Sequence, residues 1–568
     1  MFVRVKKIAG HEYLYLVENA REGGRHVKRV VKALGRREAV VESGLLDGLI
    51  ASAARQSRRS IVLSAFYRGE LAELRRASIG PDLVFGRLWE ELGCRAVLSE
   101  LLAGRRFGAD LERAVYLTVL HRLMVSGSDR HASSWRRGLR IPGAEDLTLD
   151  DAYQAMAWLG SPGADGRPLC EAIEEALYRR RQPALGLEPR GGAVSVAFFD
   201  TTTLWFEGRG GATLGRRGHS KDYRPHLRQV VLGLVLDERD RPIASFLLPG
   251  NTADVTLLLP VVARLRERFG IGAACVVADR GLISAAAIAA LDKAGVGYIL
   301  GVRERASRDV RDQVLDDDGL PVPLVIPRQK GETQLAIREV TVAGRRYIRC
   351  RNEEEAAKDA AARAEILAGL ERKLAQGDKT LVANQGYRRF LKTPAGDGFA
   401  IDPQKVADDA RFDGLFVLRT NTALSALQVV LRYRQLLAVE DAFKTAKTIL
   451  ATRPIFHKTD AGIRGHVCCT FLAMVLRHDL LDRLAAARAK LVFGPAEGRT
   501  RRPAARPARQ PPEWRRLIDD LADLSEIDIE QDGRRARLRT APGPAIDPLC
   551  RALGLALPPV YQELPPAR

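Results

Sequence analysis

Two short apolar runs, each stopped by an aspartate, constrain this chain more than any other feature. Ala193-Val-Ser-Val-Ala-Phe-Phe199 leads into Asp200, and Ala273-Ala-Cys-Val-Val-Ala278 leads into Asp279. A strand with one wet face alternates apolar and polar residues, whereas a near-continuous apolar run of about four to eight residues suits a strand covered on both faces. Such strands belong to a layered α/β sheet. Two carboxylates at their ends need a partner, because an acid beside a core is costly without one.

Neighbouring segments fill in the sheet. Val230–Leu236 and Ile243–Leu248 flank the polar turn Asp237-Glu-Arg-Asp-Arg-Pro242, which predicts an antiparallel hairpin. Val255–Phe269 has helical spacing and stops at Gly270. Ser284 caps an alanine-rich helix that Gly295 ends, and Tyr298-Ile-Leu300 supplies a further strand. The expected order is three strands, helix, strand, helix, strand. Phe416-Val-Leu418 resumes strand character, and 424–450 reads as one amphipathic helix with Leu436, Val439, Phe443, Ala446 and Leu450 on its apolar stripe. Glu440 lies beside that stripe. Residues seven apart sit about two turns along one helix face, so Tyr433, Glu440 and Lys447 are expected in line.

A chain of 568 residues exceeds one core, and its 46% hydrophobic and 28% charged content is globular. The expected division is a small basic β-rich module (1–65) and a helical, DNA-binding domain (66–190), in which Arg113 and Arg122 occupy the polar side of a helix. A catalytic core follows in two parts (191–301 and 414–486), split by a β-containing insertion domain (302–413). A Pro/Arg-rich linker (487–512) and a C-terminal module (513–568) complete it.

Lysine and arginine number 90 against 70 acids, a net charge of +20, which attracts polyanions. An arginine-rich composition can also follow from coding bias, so charge alone does not decide the partner. The seven cysteines are scattered without a C-x-x-C pair, which argues against a disulfide framework or zinc ribbon and for reduced thiols. No apolar run reaches the roughly 20 residues a bilayer demands, and no apolar segment follows Arg4, Lys6 and Lys7. A cytoplasmic, nucleoid-associated protein without membrane contact is expected. No P-loop occurs, and Gly208-x-Gly210-Gly211 lacks the third glycine of a dinucleotide site. His457 and His466 lack a ligand pair at zinc-like spacing and are expected to pack or to face DNA.

Two strand-borne aspartates and a helix-borne glutamate form an all-oxygen set suited to Mg²⁺ or Mn²⁺. Two such ions about 3.5–4 Å apart activate a nucleophile and neutralise a transferring phosphorus. Lys221, Arg224, His226 and Arg228 make a basic strip beside the first strand that can meet phosphates or solvent.

Phe198-Phe-Asp200-Thr-Thr, Gly218-His-Ser-Lys-Asp-Tyr-Arg-Pro225, Pro249-Gly-Asn-Thr-Ala-Asp254, Ala278-Asp-Arg-Gly281 and Arg453-Pro-Ile-Phe-His457 occur in that order between about 190 and 480. With Tyr433, Glu440 and Lys447, this set resembles the DDE transposases of the insertion-sequence-4-like superfamily, whose third acid lies in Y-x2-R-x3-E-x6-K. The arginine position is Leu436 here, with Arg434 close by. The resemblance implies an RNase H-like mixed-sheet core and binding of two Mg²⁺ or Mn²⁺ ions by Asp200, Asp279 and Glu440. It also implies DNA-backbone contacts from Tyr433 and Lys447. It further implies double-stranded DNA as partner, namely terminal inverted repeats and target, and a homodimer pairing two ends. Water would nick each end, and the freed 3′ hydroxyl would attack target DNA. A catalytically impaired, transposon-derived DNA-binding protein is the alternative that Leu436 keeps open. A phosphate-handling ATPase, raised by Asp200-Thr-Thr-Thr, lacks the second aspartate and glycines it requires.

Overall fold

The computed structural model describes residues 1–22, 25–56, 72–181, 196–270, 275–305, 307–317, 319–327, 332–375, 385–392, 399–493, 512–531 and 534–565. Most of the expected linker, and residues 193–195 of the first apolar run, lie outside them. At the N-terminus β1 (Phe2–Ile8), β2 (His11–Glu22) and β3 (Arg25–Arg36) pair antiparallel in one sheet. Ala9 and Gly10 both take positive φ, 49° and 85°, which gives the tight β1–β2 turn a twist matching its strands. A fourth strand, β4 (Ala72–Ser78), precedes the helices of the next region.

The central sheet has nine strands. Its first five are β5 (Val196–Trp205), β6 (Gln229–Leu236), β7 (Pro242–Pro249), β8 (Cys275–Ala278) and β9 (Tyr298–Gly301). β5, β6 and β7 run antiparallel, while β8 pairs parallel to β5 and β9 parallel to β8. Both faces are covered, as the apolar runs require. Phe199 packs with Phe246, Leu258, Val261 and Leu265 beneath the helix Leu258–Phe269. Its neighbour Phe198 points the other way, into a core shared with Val439, Phe443 and the helix Asp460–Ala486. Gly270 ends the first of these helices at φ 67°, and the Ser284 hydroxyl accepts from the Ala287 N–H, the two signals read in the sequence.

Where a separate insertion domain is expected, the sheet continues instead. β10 (Val322–Pro327), β11 (Glu332–Val342) and β12 (Arg345–Arg351) pair in series, and β12 joins β15 (Leu415–Thr420), which borders β9. Among the described residues, the helices Glu353–Leu374, Gln385–Arg388 and Pro403–Ala410 and the two-residue strands β13 (Leu391–Lys392) and β14 (Ala400–Ile401) share a small core apart from the sheet. The pairing of β15 with both β12 and β9 provides the ladder that joins these strands, and local sequence does not reveal it.

The described part of the 66–190 region, 72–181, has helices as its regular structure after β4, but the helix Leu111–Met124 has no polar side. Every residue of Leu111–Met124 is buried. Arg113 donates to the Glu112 carboxylate at 2.5 and 2.7 Å, and Arg122 donates to the Thr470 hydroxyl at 2.8 Å, so pairing offsets their burial. The C-terminal residues close onto this region: β16 (Ser525–Gln531) pairs with β4, and β17 (Arg534–Arg539) and β18 (Tyr561–Leu564) follow. The helices Leu149–Leu159 and Asp460–Ala486 meet backbone to backbone at two glycines. A Cβ on Gly465 would stand 1.9 Å from the Met156 carbonyl oxygen, and one on Gly160 would stand 1.9 Å from that of Ala461. Gly465→Ala should therefore lower stability by about 1–3 kcal/mol. A urea midpoint equal to that of the unaltered protein would show that the two helices have slack.

Candidate active site

Burial of β5 carries Asp200 to the centre of the sheet, where it is half-buried and followed by the fully buried Thr201, Thr202 and Thr203. Asp279 follows β8 directly. The parallel register pairs Phe199 with Ala278, so Asp200 and Asp279 come next on adjacent strands, whose spacing is about 4.8 Å. The Tyr433 hydroxyl donates to Asp279 Oδ1 at 2.9 Å. This approach requires Gly301, where a Cβ would lie 2.5 Å from the Tyr433 oxygen. Asp279, Tyr433 and Glu440 border a cleft of 370 Å³ that Arg434, Leu436 and Leu437 also line.

Electrostatics mark the cluster as short of positive charge. Burial pushes the Asp200 carboxyl up to about 6; Asp279 and Asp254 push the same way, while Lys221 and the Thr201 N–H, at 2.7 Å, oppose them. Burial also raises the Glu440 carboxyl, with repulsion from Asp279 and Asp441 adding to it. The Tyr433 phenol is raised by burial and by Asp279, so it stays protonated and remains a donor. A bound cation would offset both the burial cost and the repulsion, and three carboxylates are the oxygen donors a hard divalent ion takes. The donor type is the one such a metal takes, although the three carboxylates do not all lie within 4.8 Å of one another.

Around this cluster the expected basic strip divides. Lys221 turns toward the acids: its ammonium donates to the Thr201 carbonyl and hydroxyl at 2.7 and 2.8 Å and lies 3.3 Å from Asp254 and 3.8 Å from Asp200. Arg224 lies 4.5 Å over the Trp205 ring, His226 is exposed, and Arg228 donates to the carbonyls of Arg209 and Gly215. Asp222, next to Lys221, faces the opposite partners. Its carboxylate accepts from Lys447 at 2.9 Å and pairs with Arg453. Burial lowers the Lys447 ammonium, with Arg453 and Lys221 adding to the effect and Asp222 opposing it.

The single helix expected over 424–450 is broken. Ala426–Arg434 ends in a tight turn, with Leu436 N–H bonded to Tyr433 O and Val439 N–H to Leu436 O. Leu437–Lys444 follows, and the wide turn Thr445–Ile449 closes the segment. Each change of turn shifts the side-chain register. Tyr433 and Lys447 therefore reach different acids, Asp279 and Asp222, while Tyr433 and Glu440 still border one cleft. Leu436, only 5% exposed, packs into the core.

Asp222 and Asp254 escaped the reading of single residues, although both lie within the quoted motifs. Asp460, which accepts from the Thr213 N–H and hydroxyl at 2.9 and 2.8 Å, carried no sequence signal. His457 and His466 come together with Asp129, their potential ligand atoms within 4.8 Å of one another. His466 Nδ1 accepts from Arg122 at 2.9 Å, which leaves Nε2 to donate to the Thr452 carbonyl at 2.9 Å. Both nitrogens are thus committed, and the group is a packed network.

Residues 3–65 match the family model for the IS1634 family transposase N-terminal domain, and residues 195–476 match the transposase DDE domain. No curated protein sequence matches the chain. Among solved structures, it is similar to a piggyBac transposase synaptic complex with hairpin DNA, determined by cryo-EM, at 11% identity and a TM-score of 0.34. That alignment covers 71% of this chain and 75% of the other.

The raised Asp200 carboxyl has a consequence for stability. Unfolded, the group titrates near 3.9, and folded near 6, so the folded state holds its proton longer. The associated stability is complete below the unfolded value and is lost as pH rises through about 6. In protein stripped of divalent metal, Asp200→Asn should gain roughly 2–3 kcal/mol on the unaltered chain between pH 4 and pH 8. A pH-independent difference in urea unfolding would contradict this.

Proposed function

Because the chain is a DNA transposase with a DDE catalytic domain, we propose that Asp200, Asp279 and Glu440 are its catalytic carboxylates and that it cuts and pastes a mobile element. The observation that carries the assignment is the β5–β8 pairing, which sets two carboxylates side by side, with Glu440 on the cleft that Asp279 borders. The finer family reading, the insertion-sequence-4-like superfamily, is supported by five motifs in order and by Tyr433, Glu440 and Lys447. Strands β5 to β9, three antiparallel and then two parallel with helices between them, support an RNase H-like core.

DDE enzymes act with divalent metal; here Asp200, Asp279 and Glu440 would hold it as two Mg²⁺ or Mn²⁺ ions. Bound there, the metal supplies an activated water and charge neutralisation at phosphorus. The protein's own groups orient and balance. Tyr433 fixes the Asp279 carboxylate through one hydrogen bond. Lys221 keeps positive charge against Asp200 and Asp254. Arg434, on the cleft beside the buried Leu436, is placed to take over phosphate contact from the position that leucine occupies. Lys447, with Arg453, presents a second cationic group, and Arg224 lies on Trp205 where a backbone phosphate can approach. The partners are the terminal repeats and target DNA, bound by a homodimer because an element has two ends. Among the described residues no helix is long and apolar enough to cross a membrane; we place the protein at the nucleoid.

The test uses purified protein, Mn²⁺ and the DNA flanking its own gene, with nicks mapped on both strands. Asp279→Asn and Glu440→Gln should each reduce nicking about a thousandfold or more while leaving DNA binding intact. Full strand transfer by either variant would refute the triad, and binding without any metal-dependent nicking would favour the impaired DNA-binding reading. Asp222→Asn should slow cleavage about tenfold, because Lys447 and Arg453 lose their anchor, with DNA affinity unchanged or higher after removal of a negative charge. Weaker binding at unchanged turnover would argue against an anchoring role.

A further inference from the structure

The helical region and the central sheet meet around a pocket of 410 Å³ that contains none of the carboxylates assigned above. Its walls come from the ends of the helices Gly80–Glu91 and Leu169–Arg181, the β6–β7 turn at Arg241, and the middle of Asp460–Ala486 at His478. The charges on these walls pair off almost completely. Glu91 is held by Arg483 at 2.5 Å, Asp479 by Arg483 at 2.7 Å, and Glu90 by Arg95 at 2.6 Å. Arg180 pairs with Glu100, and Arg241 lies 3.4 Å from Asp482.

Arg181 is left over. Its Nε and Nη2 are shut off from solvent and have no hydrogen-bond partner. A guanidinium cannot discharge by losing its proton, and a buried, unpaired cation costs several kcal/mol, so the site calls for an anion. Burial disfavours the charged form of Arg181 and also lowers His478, which leaves a neutral ring with one N–H to donate. Counted with these partners, the charges balance, because Glu91 and Asp479 share one arginine; yet among the described residues no acid hydrogen-bonds to Arg181, whose Nε and Nη2 remain without an oxygen acceptor.

We propose that this pocket binds an oxyanion of the phosphate class, with Arg181 as its main ligand and Arg241 and His478 beside it. The shared chemistry is a tetrahedral phosphate, supplied either as free phosphate or as a backbone phosphodiester of DNA lying across the junction. Arginine's forked N–H groups suit such oxygens bidentately. The volume accommodates a phosphate together with several waters.

Thermal unfolding of the full chain, titrated with inorganic phosphate against chloride at constant ionic strength, tests the site. The midpoint of the unaltered protein should rise with phosphate and continue to rise logarithmically beyond the dissociation constant. Arg181→Met should weaken phosphate binding at least about tenfold, and Arg181→Lys should fall between. In chloride alone Arg181→Met should unfold no earlier than the unaltered chain, because the stem still packs and the unpaired charge is gone. Should it unfold earlier, Arg241→Met provides the same comparison with the central guanidinium in place. No phosphate-dependent rise, or an equal rise in Arg181→Met and Arg241→Met, would overturn the proposal. Duplex DNA separates the sources. If a backbone phosphate is the occupant, phosphate competes with DNA and Arg181→Met reduces the salt slope of DNA binding by about one. If it is free phosphate, DNA binding is unaffected while the thermal rise remains. Asp279→Asn should keep the rise, so failure of the catalytic assignment and failure of this site are distinguishable.

Discussion

Two buried strands, hydrogen-bonded in parallel at Phe199 and Ala278, deliver the Asp200 and Asp279 carboxylates next to each other. The surrounding structure is arranged around the cost of that proximity. Like charges at the edge of a core repel, and burial removes the water that would soften the repulsion. Lys221, the Thr201 amide and the Tyr433 hydroxyl each offset part of it from a different element. The remaining repulsion is the ground on which a divalent cation is proposed there.

The loop between β5 and β6 links that site to the end of the helical segment. Lys221 and Asp222 are neighbours of opposite charge that face opposite ways, one to Asp200 and Asp254, the other to Lys447 and Arg453. One dipeptide thereby ties the first acid of the sheet to the cations beyond Glu440. These ion pairs are mostly shielded, with side chains 11–31% exposed, so salt screens them less than it would a surface pair.

The segment carrying Glu440 shows how local geometry adapts to such a site. An unbroken α-helix would have aligned Tyr433, Glu440 and Lys447. A tight turn at Leu436 and a wide one at Thr445–Ile449 interrupt it: Tyr433 holds Asp279 and still borders one cleft with Glu440, while Lys447 reaches Asp222. Leu436 at that bend belongs to the core, and Arg434 lines the cleft.

Much of the fold was legible in the sequence because it is written in local terms. Continuous apolar runs specified two-sided strands, Gly270 and Ser284 marked helix ends, and the polar turn at 237–242 made the β6–β7 hairpin. The acids were legible because each abuts such a run or stripe. Contacts between distant segments were not. β10 to β12 join the central sheet through the pairing of β12 with β15, and β16 closes on β4 across most of the chain. Arg113 is interior because its sequence neighbour Glu112 neutralises it, and Arg122 because the distant Thr470 accepts a hydrogen bond from it. Backbone pairing and charge neutralisation depend on which segments meet in space. The sequence by itself determined the strands and the carboxylates they end in; only the tertiary structure decided that Asp254 shares Lys221 with Asp200 and that Asp222 turns to Lys447 and Arg453, because such pairings depend on segments meeting in space.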